Sequence, residues 1–306
     1  MYVLRPRSQA AIKPTENKRS NMRIRDKAVL VKLSLGAPGN TRKDPTITSE
    51  VKTKHSLGDK AGRWLKQLYP DEALKPVTVI GGEARTFHYA NSLPWADEGW
   101  RILPTANHLA YTDKLRELRA KYLETAETHF LAKLNDWEDW AREQHNGTFD
   151  PADYLTADKL RRKFAFATEF SPIPDGEDFR DNAQVADEER AAMSAQVVDR
   201  VSAAVKAAEC DLWERLTTPL SAIVERLSDP EHKFKDTLVG NVADIIRLVP
   251  ALNLTGNAKL EEFRREIEAA GLHGLNPQVL RDSKPDRKAA ADKAAAILAK
   301  MQGYAA

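Results

Sequence analysis

Two long stretches with apolar residues at helical spacing constrain this fold more than any other feature of the sequence. One runs from Asn107 to His145 and the other from about Val185 to Leu227, and both repeat at intervals of three and four. A helix of about 40 residues is near 60 Å long and needs a partner along its length. The pattern therefore predicts an elongated, mainly α-helical protein built on an antiparallel pair of long helices.

Two short segments have the alternation of β-strands. Residues 28–35 (AVLVKLSL) are rich in β-branched side chains, and residues 164–170 (FAFATEF) place an apolar or β-branched side chain at every second position. Pairing of these segments would form a small two-stranded β element. That element would connect the N-terminal part of the chain to the long helices.

The remaining segments are predicted from breaks in the pattern. Residues 48–69 are typical of two helical pieces interrupted at Gly58, and another helix is expected after Pro76. Shorter C-terminal helices are expected at roughly 231–249, 257–270 and 285–301, with Asn257 as a cap and with Pro250 and Gly271 as stops.

These patterns divide the chain into four expected regions. They are a flexible basic arm (1–22), a basic, aromatic-rich N-terminal region (23–104), a long helical hairpin with an inserted β element (105–230) and a C-terminal helical region (231–306). The first of these is polar and aperiodic, which is typical of a chain that buries little apolar surface.

The net charge of +2 hides a strong asymmetry along the chain. Residues 1–70 contain 16 Lys and Arg against five Asp and Glu, a net charge of +11, so the rest of the chain carries −9. A basic end favours a polyanionic partner. Two alternatives stay open: the basic end pairs with the acidic body of this or a sister chain, or it is only a solvated face.

The sequence has neither the motifs of common enzyme active sites nor an apolar run long enough to span a membrane. Its seven histidines and single cysteine, Cys210, have no metal-ligand spacing, and no phosphate loop, dinucleotide fingerprint or nucleophile elbow occurs. We therefore expect no catalysis and no cofactor, and a buried, inert Cys210. No apolar run approaches the ~20 residues that span a bilayer, and no secretory signal is apparent, so a cytoplasmic location is expected.

Aromatic and cationic side chains alternate within residues 83–104 (EARTFHYANSLPWADEGWRILP). Flat rings stack on unpaired bases while cations neutralise phosphates, which is the combination that single-stranded nucleic acids require. The alternative is that these rings pack in the core. For Trp64, Trp137, Trp140 and Trp213, which fall on amphipathic patterns, core packing is the expectation.

The same segment carries a family resemblance. The runs GEARTFHYANSLPW and GWRILP, followed by FAFATEFSPIPDGEDFR and KDTLVGN…LVPALNLT, resemble the early single-stranded-DNA-binding transcription cofactors of N4-like phages. The resemblance covers roughly residues 22–303. It implies a protein of the host bacterial cytoplasm that grips single-stranded DNA without strong sequence preference and brings the phage RNA polymerase to promoter DNA. It supplies no binding residues.

Charge and aromatic patterns together predict a nucleic-acid site. Phosphates would be neutralised by Arg42, Lys43, Lys52, Lys54, Lys60, Arg63 and Lys66. Bases would stack near Phe87, Tyr89, Trp95 and Trp100, and the cations interleaved with these rings, Arg85, His88 and Arg101, would complete the site. The long apolar seams lead us to expect a homo-oligomer. Three rivals remain: a self-assembling helical scaffold, a recombination protein that anneals single strands, and an enzyme whose site has no sequence signature.

Overall fold

The description rests on a computed structural model, which describes residues 23–95, 99–179, 186–229 and 231–301. The expected flexible arm at residues 1–22 lies outside the described residues. From the N-terminus the first elements are α1 (Ile24–Lys27), β1 (Ala28–Gly36), β2 (Thr41–Asp44), α2 (Pro45–Lys54), β3 (Trp64–Gln67), α3 (Asp71–Ala90), β4 (Leu93–Pro94) and β5 (Trp100–Pro104).

The next elements surround a second strand-forming segment. They are α4 (His108–Thr125), α5 (Leu134–His145), α6 (Ala157–Arg161), β6 (Ala165–Ser171), α7 (Asp187–Leu227), α8 (Thr237–Leu252), α9 (Ala258–Ala269), α10 (Pro277–Asp282) and α11 (Lys284–Met301). Helices thus dominate the chain, and the mainly α fold class, the long second helix and the shorter C-terminal helices are confirmed.

The expected strand pairing is confirmed and is part of a larger sheet. β1 pairs antiparallel with β6, from Leu30 opposite Ser171 to Gly36 opposite Ala165. On its other side β1 pairs with β5, which pairs with β4, so the sheet has the order β4-β5-β1-β6. A separate two-stranded sheet is formed by β2 and β3.

The four-stranded sheet separates two hydrophobic clusters, because alternate side chains of a strand point to opposite faces. Leu30 and Ile102 join the cluster of α7 and the C-terminal helices. Val31, Leu103 and Phe166 join the cluster of α3 and α4. The sheet draws strands from both sides of residue 105, so it unites segments that are distant in sequence.

The first long helical segment is not one uninterrupted helix. A π-helical turn at Ala126–Phe130 and a 3-10 turn at Leu131–Lys133 separate α4 from α5. The break accompanies the burial of Phe130, whose ring lies 4.9 Å from that of Tyr69 and 5.4 Å from that of Phe164. The Trp137 indole donates to the Phe130 carbonyl (3.1 Å), which helps to satisfy the backbone at the interruption.

The two long helical segments pack against other partners rather than mainly against each other, which corrects the expected pairing. The stripe of α4 that contains Tyr111, Leu115 and Leu118 lies in one cluster with α3. The stripe of α7 lies in the other cluster, where α11 and α8 are its principal neighbours. Shorter helices on either side of the sheet thus cover the apolar faces that the sequence predicted would meet.

Two further expectations need correction. The second helical piece expected within residues 48–69 is strand β3, and the helix expected after Pro76 begins earlier, at Asp71, with Pro76 inside it. Among the C-terminal signals, Asn257 caps α9 by accepting from two backbone N–H groups, and Gly271 has the left-handed φ of 74° that ends this helix. Pro250 lies inside α8 and does not stop it.

Candidate nucleic-acid interface

Residues 41–67, which we call the basic finger, form a small unit of β2, α2 and β3. The Asp44 side chain caps α2 by accepting from the Ile47 N–H at 2.9 Å, and Pro45 occupies the first helical turn, where its missing N–H costs nothing. The backbone N–H of Trp64 donates to Thr48 Oγ1 (2.9 Å), which ties β3 to the start of α2.

The base of the basic finger is held by a buried ion-pair cluster. Lys66 Nζ lies 2.7 Å from Asp153 Oδ2 and 3.3 Å from Asp44 Oδ2, and it donates to the Thr148 carbonyl at 2.8 Å. Burial by itself lowers the pKa of Lys66. The hydrogen bonds and negative charges of Asp153 and Asp44 have the larger combined effect, so the pKa of Lys66 is raised above its usual value. Lys66 is only 5% exposed, so it does not serve as a phosphate contact.

Arg42 is also largely committed to this cluster. It lies opposite Lys66 in the β2–β3 register, pairs with Asp153 through Nε at 3.2 Å, and donates to the Ala152 carbonyl at 3.1 Å. The neighbouring residue Lys43 lies on the other face of the two-stranded sheet, opposite Leu65. Arg42 and Lys43, both expected to contact phosphates, therefore differ in role: Arg42 fixes the finger, and Lys43 faces away from the cluster.

The outer part of the basic finger carries a net positive charge. Lys43, Lys54, Lys60 and Arg63 are exposed, and none of them forms an ion pair with another residue that the structure describes. Lys52 instead donates to the Asp59 carbonyl and holds the loop after α2 against that helix. The finger as a whole has seven Lys and Arg against three acids, a net charge of +4.

Large apolar side chains lie exposed among these cations. Trp64 and Leu65 are 51% and 52% exposed, and Leu57 in the preceding loop is also exposed. The sequence predicts Trp64 on a buried helix face, because residues 61–68 have a spacing that also fits a helix. The neighbouring sequence could have identified Trp64 as an exposed residue. Gly58 and Gly62 disfavour a helix, and cations lie on both sides of Trp64 in the sequence.

The expected stacking segment, residues 83–104, is mostly part of the core. The Phe87 ring stacks on Tyr111 with a centroid distance of 5.7 Å, and the buried His88 shares a 2.6 Å hydrogen bond between Nδ1 and the Tyr111 hydroxyl. Trp95 is only 7% exposed and belongs to the cluster of α7. His88 and Trp95 are not available to a base, and Phe87 is partly buried against the cluster of α3 and α4, so the core-packing alternative is correct for these rings.

The other residues of that segment are partly accessible. Arg101 bonds both the hydroxyl and the carbonyl of Ser92 (2.8 and 2.9 Å) and lies 4.7 Å from the ring centre of Tyr89, which is 54% exposed. Trp100 is half-buried beneath the Lys32 ammonium, 5.8 Å from its ring centre. Arg85 is exposed on α3.

Arg101 belongs to a structural joint between α3 and α7. Arg215 of α7 donates to the carbonyls of Tyr89, Ala90 and Ser92 at 2.8–2.9 Å, which satisfies the last turn of α3. Burial and the nearby Arg215 lower the pKa of Arg101, while burial raises the pKa of Asp211, which pairs with Arg215. This joint engages α3 and α7, whereas the basic finger is anchored on residues 145–153.

Some of the basic N-terminal region is paired with acids of the body, as one alternative predicted. Arg23 lies within 3.2 Å of Asp175 and Glu177 oxygens, and Arg25 within 3.4 Å of Asp175 and Asp178. These two arginines therefore differ from Lys43, Lys54, Lys60 and Arg63 of the basic finger, which have no ion-pair partner within the described parts of the chain. Cys210 is exposed, which corrects the expectation that it is buried.

The described residues contain no group of three or more His, Cys, Asp or Glu that could hold a metal ion. Across the same residues, no helix combines the length and the apolar character that crossing a membrane requires. Comparison with known proteins gives no match: no family model, curated protein or solved structure is significantly similar to this chain.

Proposed function

We propose that the chain binds single-stranded DNA without sequence specificity, and that the basic finger is its contact surface. One observation carries this proposal: Trp64 is half exposed at the end of a unit whose Lys43, Lys54, Lys60 and Arg63 have no ion-pair partner among the described residues. An aromatic ring of this size gains by stacking on a base, at about 1–3 kcal/mol per base.

The unpaired cations supply the second half of such an interface. A cation that is already paired must give up its partner before it can meet a phosphate, whereas an exposed one only releases water and counterions. This distinction selects the tip of the finger over Arg23 and Arg25, which are held by Asp175, Glu177 and Asp178. A single strand is favoured over a duplex because its bases present faces on which Trp64 can stack.

The biological role follows from the sequence resemblance to the early transcription cofactors of N4-like phages. A non-enzymatic protein that holds a promoter strand would bring the phage RNA polymerase to that DNA in the host cytoplasm. The contact with the polymerase would use the folded body. Pull-down of the phage polymerase by DNA-bound protein, but not by DNA alone, tests this part separately from DNA binding.

Fluorescence anisotropy tests the DNA-binding part directly. A labelled oligonucleotide of about 30 nucleotides, longer than a typical site of about 4–16, is titrated as a single strand and as a duplex across a salt series. We expect tighter binding to the single strand and a steep loss of affinity with salt. Equal and feeble binding to both would contradict the proposal and favour the scaffold alternative. Faster pairing of complementary strands in the same samples would favour the annealing alternative.

A further inference from the structure

The two edges of the four-stranded sheet are built differently. One edge is β4, which has only two residues, Leu93 and Pro94, and the proline has no N–H to offer a neighbouring strand. The other edge is β6, which pairs with β1 over seven consecutive residues without a bulge. Folded proteins usually protect an edge by shortening it, bending it, or adding proline or lysine. β4 is protected in this way, whereas β6 is long and regular, contains neither proline nor lysine, and has Glu169 as its one charged residue.

The outer side of β6 has no backbone partner in the parts of the chain that the structure describes. No other strand neighbours it, and no hydrogen bond from outside the sheet engages the backbone of residues 165–171 within those parts. A row of free N–H and C=O groups on a regular strand is a template for one more strand.

Apolar side chains are exposed at one end of this edge. Phe170 is 42% exposed, and its ring centre lies 5.1 Å from that of His108. The next residue, Leu109, is 73% exposed, the most of any large apolar side chain among those described. Burial of such side chains would stabilise an additional strand beyond its hydrogen bonds.

We propose that this edge is a dimer interface, in which β6 pairs antiparallel with β6 of a second copy about a two-fold axis at Thr168. This register places Phe166 opposite Phe170 of the second copy and uses all seven residues of the strand. Two four-stranded sheets then form one continuous sheet of eight strands.

The sequence of β6 argues for a second copy as the occupant. Phe166, Thr168 and Phe170 are symmetric about the central threonine, so an antiparallel copy sets the exposed Phe170 of each chain beside Phe166 of the other, which is only 6% exposed. The register also sets the charged Glu169 opposite Ala167. A register centred one residue later would oppose the two Glu169 carboxylates, which is destabilising. An interface based on one strand is small, so the dimer is an equilibrium that depends on concentration.

Sedimentation of the nuclease-treated full chain over a concentration series tests the association. We expect a mass that rises from the 34.3 kDa of one chain toward about twice that value. The variant Phe170→Asp, which puts a charge into the edge, should remain monomeric at concentrations where the native chain is dimeric. A native chain that stays monomeric throughout would overturn the proposal.

Cross-linking tests the register. In a Cys210→Ser background, Thr168→Cys places two thiols opposite each other across the axis, at a Cβ separation of about 4.5–5.5 Å, and oxidation should yield a covalent dimer. The matched control is Ala165→Cys, whose two thiols would be about 20 Å apart and should not react. A dimer in which only the control cross-links, or in which neither does, places the interface elsewhere and overturns the assignment.

Discussion

Lys66 and Asp153 are joined by a 2.7 Å bond between Nζ and Oδ2 although they lie 87 residues apart in the sequence. With Asp44 they form the buried cluster that fixes the basic finger to residues 145–153. The outer cations and Trp64 therefore belong to a unit with a defined attachment, whose loss has measurable consequences.

Replacing the buried ammonium should release the finger. Lys66→Met leaves the carboxylates of Asp44 and Asp153 with less compensation, and removal of one partner of a buried pair costs about 3–5 kcal/mol. We expect a lower free energy of unfolding in denaturant titrations and weaker binding of single-stranded DNA. Adding Asp44→Asn and Asp153→Asn to Lys66→Met removes the unpaired charges and should recover much of the stability. If Lys66→Met alone is as stable as the native chain, the cluster does not hold the finger.

Variants at two tryptophans distinguish an effect on DNA affinity from an effect on stability. Trp64→Ala should weaken binding to single-stranded DNA by about 1–3 kcal/mol, because a stacking ring is lost. It should change thermal stability little, since the ring is half exposed. Trp213 is buried against Phe263, with a centroid distance of 5.8 Å, so Trp213→Ala should cost about 3–5 kcal/mol of stability. Anisotropy and thermal unfolding of both variants check the contrast. Equal DNA affinity in Trp64→Ala and the native chain would exclude a stacking role.

The salt dependence should distinguish free cations from paired ones. Lys60→Gln combined with Arg63→Gln should reduce the slope of log affinity against log salt by about 1.4, from about 0.7 per phosphate contact on a single strand. Arg23→Gln combined with Arg25→Gln is the matched control and should leave the slope unchanged, because Asp175, Glu177 and Asp178 already compensate these charges. The opposite pattern would move the interface to the N-terminal end of the described chain.

Arg42 and Lys43 provide a finer test. The sequence alone assigned a phosphate contact to each of these two residues. Because Arg42 is bound to Asp153 and to the Ala152 carbonyl, we now expect Arg42→Gln with Lys43→Gln to reduce the slope by only about 0.7, one contact's worth. A loss of stability should accompany it, because the Arg42 contacts anchor the finger. Unfolding titrations and anisotropy over a salt series measure both effects.

Stability should depend on the titration of His88. Burial, with a smaller contribution from the charge of Arg101, lowers the pKa of His88 from 6.5 to about 4. Between these values the unfolded chain binds a proton that the folded chain does not. The free energy of unfolding should therefore fall by roughly 3 kcal/mol as the pH falls from 6.5 to 4. His88→Gln should flatten this part of the pH profile, and His55→Gln, at an exposed position, should not. Identical profiles for all three proteins would contradict the burial of a neutral His88.

The sequence predicted the fold where local signals and packing agree. The alternation in residues 28–35 and 164–170 was sufficient to predict the β1–β6 pair, because each strand presents a period of two to a buried face. Asn257 and Gly271 marked helix ends because their caps depend on their own side chain or φ angle. The sequence could not predict which elements the long helices pack against, since an apolar stripe does not specify which of several apolar faces will cover it.

The candidate site was predicted in part. The charge count identified the region that contains the basic finger, but charge alone does not separate the buried Lys66 from the exposed Lys60. The aromatic segment 83–104 was given a stacking role because its rings alternate with cations, but tertiary contacts bury Trp95 and partly bury Phe87. Trp64 was assigned to the core because four residues of a short strand also fit a helical period.

Mapping of photochemical cross-links shows most directly whether the basic finger contacts single-stranded DNA. A single strand that contains bromodeoxyuridine is irradiated on the full chain, and the attached peptide is identified by mass spectrometry after tryptic digestion. We expect attachment within residues 57–66, centred on Trp64, and a loss of attachment in Trp64→Ala. Attachment confined to residues 83–104 or to the C-terminal helices, with none on the basic finger, would contradict it.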